Sequence, residues 1–158
     1  MNAARWRCSR RGLTLVELIV AFTIMAMLTS MAVPLARYKV RRDRERELVY
    51  ALREMRKAID NYKDASLAGK IEVKLGTDGY PESLEQMVEG VKLLQDAEGK
   101  KIKFLRRIPK DPMTNAAEWG LRSEQDDPAS LSWGRQNVFD VYTKSTDRAR
   151  DGTPYSQW

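Results

Sequence analysis

Apolar residues crowd into one stretch of this chain. Leu13 to Val33 reads LTLVELIVAFTIMAMLTSMAV, 21 residues with a single charge, Glu17, which is the length of a helix that spans a bilayer. Pro34 follows. It removes a backbone donor and crowds the Ser30 carbonyl, so a kink or a brief loss of helical hydrogen bonding is expected there, with the Thr29 and Ser30 hydroxyls placed to cover the freed groups. An ordinary helix end at the membrane surface is the alternative. What comes next weighs against it: Leu48, Leu52, Met55, Ile59 and Tyr62 are spaced four, three, four and three apart, an apolar stripe on one helix face. Arg44, Glu45, Arg46, Glu47, Arg53, Glu54, Arg56 and Lys57 populate the other faces, and no glycine or proline interrupts Tyr38 to Lys63. Leu13 to about Ser66 therefore reads as one helix of about 80 Å at 1.5 Å per residue, its first part bare and its second packed on a small domain.

The rest of the pattern is shorter-ranged. Leu67 to Gly79 carries three glycines and reads as a loop, with an extended piece at 71–75. Tyr80 to Gly90 reads as a short second helix, with proline near its start, Leu84, Met87 and Val88 on one face and glycine past its end. Lys101 to Ile108 and Val138 to Tyr142 read as strands, and Trp119 to Arg122 as a third. A long helix, a short helix and a small antiparallel sheet make an α+β chain.

The 158 residues suffice for one ordinary domain, and 42% hydrophobic content argues against a disordered chain. The net charge of +6 suggests a nucleic-acid partner until its distribution is inspected. Arg5, Arg7, Arg10 and Arg11 all precede the apolar run, and without residues 1–12 the chain has 24 basic against 22 acidic residues, a net +2. The remaining charges are interleaved as on a solvated surface, so nucleic acid is not expected as a partner. Cys8 is the one cysteine and histidine is absent, which removes Cys/His nucleophilic pairs, thiolate zinc sites and histidine general-base chemistry from residue 13 onward. Asp126 and Asp127 are adjacent in a polar loop before Pro128, where side chains diverge and solvent keeps both ionised, so no catalysis is expected there. Trp119, Trp133, Tyr155 and Trp158 are expected in the core or at subunit contacts rather than stacked on nucleic acid.

A secretory signal peptide would have a shorter apolar region ending in a small-residue cleavage site. Ser30-Met31-Ala32 is a poor match to one. A plain signal anchor fits the length but not Glu17, because an acid within an inserted helix needs a partner. Arg10-Arg11-Gly12-Leu13-Thr14-Leu15-Val16-Glu17-Leu18-Ile19 resembles the processing and assembly motif of type IV prepilins and type II secretion pseudopilins. The resemblance implies that prepilin peptidase cuts between Gly12 and Leu13 and methylates the new amine of Leu13. It also implies that Leu13, Thr14, Glu17 and Pro34 serve assembly. Leu13 stands where phenylalanine or methionine is commoner. Physical chemistry runs the same way: the cut creates a cation at a helix end that already carries partial positive charge, and Glu17 supplies the opposite charge. In a staggered bundle of low dielectric, that carboxylate can meet the amine of the next subunit.

The order of elements resembles the major pseudopilin of type II secretion, as do two local stretches. These are Leu105-Arg106-Arg107-Ile108-Pro109-Lys110-Asp111-Pro112-Met113-Thr114-Asn115, with methionine where that family prefers tryptophan, and Phe139-Asp140-Val141-Tyr142-Thr143. The resemblance implies a pilin-like fold with a leader at 1–12, a transmembrane and assembly half-helix at 13–35, an amphipathic half-helix at 36–66 and a periplasmic domain at 67–158. It further implies a non-enzymatic subunit of a helical homo-oligomeric filament, a pseudopilus serving protein secretion across the outer membrane. The subunit would be anchored once in the bacterial inner membrane and handled by an assembly platform and minor pseudopilins. A type IV pilus subunit or DNA-uptake minor pilin is the alternative. Relatives of this kind bind Ca²⁺ in a C-terminal loop, which makes Asp147 and Asp151 the candidate ligands. Thr143 to Gly152 carries only those two acids, interrupted by Lys144, Arg148 and Arg150, where Ca²⁺ takes six to eight oxygens.

Overall fold

The computed structural model describes Gly12, residues 14–94 and residues 99–158. The chain divides into two compact units, Met1–Arg42 and Asp43–Trp158. One helix, α1 (Leu15–Leu67), contributes to both. It starts where Thr14 caps it, the Glu17 N–H donating to the Thr14 hydroxyl (3.3 Å) and the Leu18 N–H to the Thr14 carbonyl (3.2 Å). It stops in a Schellman turn: Gly69, at φ +63°, donates to the Ser66 carbonyl and Lys70 to the Ala65 carbonyl, both at 3.0 Å. Glycine adopts that left-handed conformation without the crowding a Cβ would add. The expected end at about Ser66 is therefore met within a residue.

In the second unit the apolar stripe of α1 is the spine of the core. Leu48, Leu52, Met55, Ile59 and Tyr62 are at most 3% exposed. They pack with Ile71, Leu84, Met87, Leu105, Val138, Val141 and Tyr155. Burying such a side chain is worth about 1.5–3 kcal/mol. Tyr62 closes the upper end against Phe104, ring centroids 5.2 Å apart. Burial pushes the Tyr62 phenol above its usual range, with help from the nearby Glu82 carboxylate.

The short elements are briefer than periodicity alone suggests, each for an identifiable reason. Helix α2 covers Leu84–Glu89 rather than all of 80–90, because the Ser83 hydroxyl accepts from the Gln86 N–H and caps it there. Strands β1 (Val91–Lys92) and β2 (Lys101–Ile102) pair antiparallel. The expected strand to Ile108 ends early because the N–H groups of Phe104 and Leu105 both turn to the Met87 carbonyl at 3.1 Å. The extended piece at 71–75 reduces to one bridge, Ile71 to Leu93. Strands β3 (Trp119–Arg122) and β4 (Asp140–Thr143) form a second antiparallel pair. Here β4 starts two residues later than expected, since Val138 N–H is diverted to the Pro81 carbonyl at 2.7 Å. The described residues thus hold two two-stranded sheets in place of one.

The aromatic residues near the C-terminus serve the core. Trp119 is 5% and Tyr155 2% exposed, and the indoles of Trp119 and Trp133 donate to the Pro109 and Asn137 carbonyls. Trp158 meets Tyr155 edge-on at 4.9 Å. Tyr142 lies flat over Gly120 on the facing strand, so close that a Cβ at Gly120 would fall 2.2 Å from the ring. The ring cannot yield easily: its hydroxyl donates to the Leu131 carbonyl and the Arg122 guanidinium stacks 4.2 Å from its centroid. Gly120→Ala should cost about 1–3 kcal/mol, read as a lowered urea midpoint of the residue 36–158 fragment; an unchanged midpoint would refute the tight packing of ring on glycine.

Candidate functional site

In the first unit the candidate site is the start of α1. Leu15 (73%), Phe22 (67%), Met27 (74%) and Leu28 (65%) are exposed. The helix is long and apolar enough to cross a membrane, and none of its apolar window is buried. Its hydroxyls are folded back on the backbone. Thr23, Thr29 and Ser30 donate to the Val20, Met25 and Met27 carbonyls at 2.8, 2.7 and 2.8 Å, which leaves no hydroxyl proton to be satisfied by lipid. This differs from the expected arrangement at Pro34, because neither Thr29 nor Ser30 turns to the Ser30 carbonyl that the proline frees. Helix assignment nonetheless runs through Pro34 without interruption.

Glu17 occupies the first turn of α1, exposed. Among the described residues no cation meets its carboxylate. Thr14 and Glu17 stand in the Thr-x-x-Glu spacing of a capping box, and the half of it in which the Glu17 N–H bonds the Thr14 hydroxyl is formed. That signal is written in the sequence, and it gives Thr14 a local task the resemblance does not mention. Gly12 is exposed, with no atom within 4 Å of where a Cβ would sit. Leu13, Cys8 and the arginines at 5, 7, 10 and 11 lie outside the described residues.

In the second unit, polar side chains work as fasteners. Asp140 on β4 is clamped between Arg56 of α1, whose Nε donates at 2.7 Å, and Arg122 of β3 at 3.3 Å. The same arginines hold the chain end: Arg56 donates to the Trp158 backbone oxygen (2.7 Å) and Arg122 to the Ser156 carbonyl (3.2 Å). Arg56, assigned by periodicity to a solvated face, is thus half-buried in an ion pair. Asp111, fully buried, accepts from the Met113 N–H (2.8 Å) and from the Thr143 hydroxyl. Its carbonyl accepts from Asn115 (2.7 Å), itself at φ +58°. The Pro-Lys-Asp-Pro stretch is therefore a turn pinned to β4.

The adjacent acids 126 and 127 are turn caps. Asp126 accepts from the backbone N–H of Ser123 (2.7 Å) and Gly134 (3.0 Å), bonds that hold its carboxyl below the usual 3.8, the Gly134 bond most of all. Asp127 accepts from Ala129 at 2.8 Å. Each carboxylate serves its own turn, and the arrangement offers no acid–base pair.

Asp147 and Asp151 belong to a turn that is already hydrogen-bonded internally. The carbonyls of Asp147, Ala149 and Thr153 accept from Tyr155, Gly152 and Ala149, and the Gly152 carbonyl accepts from the Arg148 guanidinium at 3.0 Å. Thr153 donates to Asp151 Oδ1 at 2.9 Å, and that bond keeps the Asp151 carboxyl below its usual range. Among the described residues no three His, Cys, Asp or Glu gather where a metal could be held. Two carboxylates, flanked by arginines, fall short of a Ca²⁺ donor set. Titrating the 36–158 fragment with Ca²⁺ should therefore yield neither heat nor a rise in Tm; a binding heat that Asp151→Asn removes would overturn this.

Comparison with known proteins places one match where the exposed helix begins. Residues 7–33 match the family model of the prokaryotic N-terminal methylation motif. No curated protein and no solved structure matches the chain. The motif supports a type IV prepilin-like family. With the long apolar helix it supports N-terminal methylation and a membrane anchor, and it is consistent with prepilin peptidase processing and filament assembly.

Proposed function

We propose that this protein is a structural subunit of a pseudopilus that serves protein secretion across the outer membrane. The observation that carries the proposal is the bare apolar helix from Leu15 to Val33, polar at its backbone-bonded hydroxyls and at Glu17 alone. Such a face is stable in lipid or against copies of itself, and in either place an unpaired carboxylate is costly. Cutting between Gly12 and Leu13 supplies the missing charge as an amine, which is then methylated. Cleavage thereby switches assembly on, since the uncut chain offers Glu17 of the neighbouring subunit no cation at that position. The folded unit Asp43–Trp158 lies in the periplasm, and the helix holds the subunit in the inner membrane until the assembly platform draws it into the filament.

Mass spectrometry of the mature amino terminus tests this. A chain beginning at methylated Leu13 is expected; one beginning at Met1 or after Ala32 would remove the proposal.

A DNA-uptake pilin is the second reading, favoured by one feature. A groove within the second unit, between α1 and the 106–110 turn, brings Arg46, Arg106, Arg107 and Lys110 around the exposed ring of Tyr50. Glu47 and Glu54 line the same groove and oppose a nucleic-acid backbone. Salt-dependent DNA binding by the 36–158 fragment would decide for this reading.

A further inference from the structure

Among the described residues up to Arg42, charge is confined to two places, Glu17 and the segment that follows the apolar run. Arg37, Lys39, Arg41 and Arg42 are four cations in six residues with no acid among them, and all four are exposed. From residue 13 onward the chain carries a net +2, so this one segment outweighs everything else and leaves the remainder net negative. Tyr38, 63% exposed, sits among them, and tyrosine favours the level of lipid headgroups. At 1.5 Å per residue these positions lie about 6–14 Å beyond Val33 along the helix. The nearer of these positions lie within one screening length of a charged surface at physiological salt, about 8 Å, and the farther ones within about two; long basic side chains can reach back toward that surface.

We infer that residues 37–42 form a cationic collar that binds the phosphate groups of anionic phospholipids at the membrane surface. The inference rests on the membrane anchor proposed above. Juxtamembrane basic clusters are drawn to anionic leaflets in rough proportion to their number of cations. An interleaved surface such as the one after Asp43, where acids alternate with bases, gains little by comparison. The collar would set the depth at which the subunit rests. It would also make withdrawal into a filament easier from a neutral bilayer than from an anionic one.

The test uses the full chain in phosphatidylcholine vesicles that contain a trace of spin-labelled phosphatidylglycerol or spin-labelled phosphatidylcholine. Electron spin resonance reads how much of each label is immobilised at the protein. The expected result is a several-fold preference for phosphatidylglycerol, lost in high salt and cut by about half in the variant carrying Arg37→Gln, Lys39→Gln, Arg41→Gln and Arg42→Gln, which keeps the four arginines at 5, 7, 10 and 11. Flotation is measured on the same samples. If the wild-type chain fails to float with neutral vesicles, the anchor and the collar both fall. If both chains float but the preference is absent, or survives the four substitutions undiminished, the collar alone is overturned. Oligonucleotide binding by the vesicle-bound chain that the four substitutions abolish would reassign the cluster to nucleic acid.

Discussion

Replacing Glu17 with alanine should leave the subunit processed at its leader yet reduce filament yield by more than about a hundredfold. The size follows from leaving a cationic amine without a counter-ion in a low-dielectric bundle, about 3–5 kcal/mol for a broken buried pair, where each 1.4 kcal/mol is a factor of ten. The Thr14 hydroxyl accepts from the Glu17 backbone N–H, which alanine keeps, but alanine removes both the charge and the side chain that a full capping box would use. Glu17→Gln separates them, since glutamine can serve in a capping box but carries no charge. Both variants should accumulate as processed, membrane-held subunits, measured by immunoblot of membrane and sheared-filament fractions. Normal filaments from the glutamine variant would sink the charge argument and leave Glu17 as a capping residue.

Asp140→Ala should be the most damaging change to the ion pairs of the folded unit. It strands two guanidinium groups at once, and the Arg122 side chain is only 8% exposed, so water cannot replace the lost carboxylate there. Arg56 is 37% exposed and recovers part of its solvation. We expect a loss of about 3 kcal/mol, the low end for a broken buried pair after allowance for that exposure. A Tm lowered by on the order of 10 °C follows for a domain of this size. Because Arg56 and Arg122 also hold the Trp158 and Ser156 backbone oxygens, amide exchange should rise across residues 154–158 before the rest of the domain opens. A loss below about 1 kcal/mol, or exchange unchanged in that segment, would show that the clamp is a surface ion pair of little consequence.

The long helix was the most legible part of the chain, and local physics explains why. An apolar run of bilayer length followed by a 3.6-residue stripe is a one-dimensional signal, repeated over more than a dozen turns, and the core positions Leu48, Leu52, Met55, Ile59 and Tyr62 came directly from it. Strand β3 was equally legible because Trp119–Arg122 pairs along its whole predicted length. The strands proposed at 101–108 and 138–142 were shortened, and the reason is non-local. Met87 and Pro81, distant in sequence, offer carbonyls that compete for the N–H groups of Phe104, Leu105 and Val138, and no window of neighbouring residues contains that competition.

The candidate site divides the same way. Glu17, Gly12 and the hydroxyl spacing are readable along the chain, since an acid inside an apolar run is conspicuous wherever the run ends up. The Thr14 cap was readable too, through its spacing to Glu17. Arg56 and Asp111 were not. Arg56 is one of several charges on a helix face, and only the arrival of Asp140, 84 positions away, sets it apart. Asp111 is one acid in a polar turn until Thr143 is brought against it. The sequence by itself determined the apolar helix, its lone acid and its amphipathic continuation, because these depend on periodicity and charge within a few turns. Tertiary structure alone decided which charges became ion pairs, where the short strands ended and how the loop of Asp147 and Asp151 was closed, because each depends on partners that only chain reversal brings within hydrogen-bonding distance.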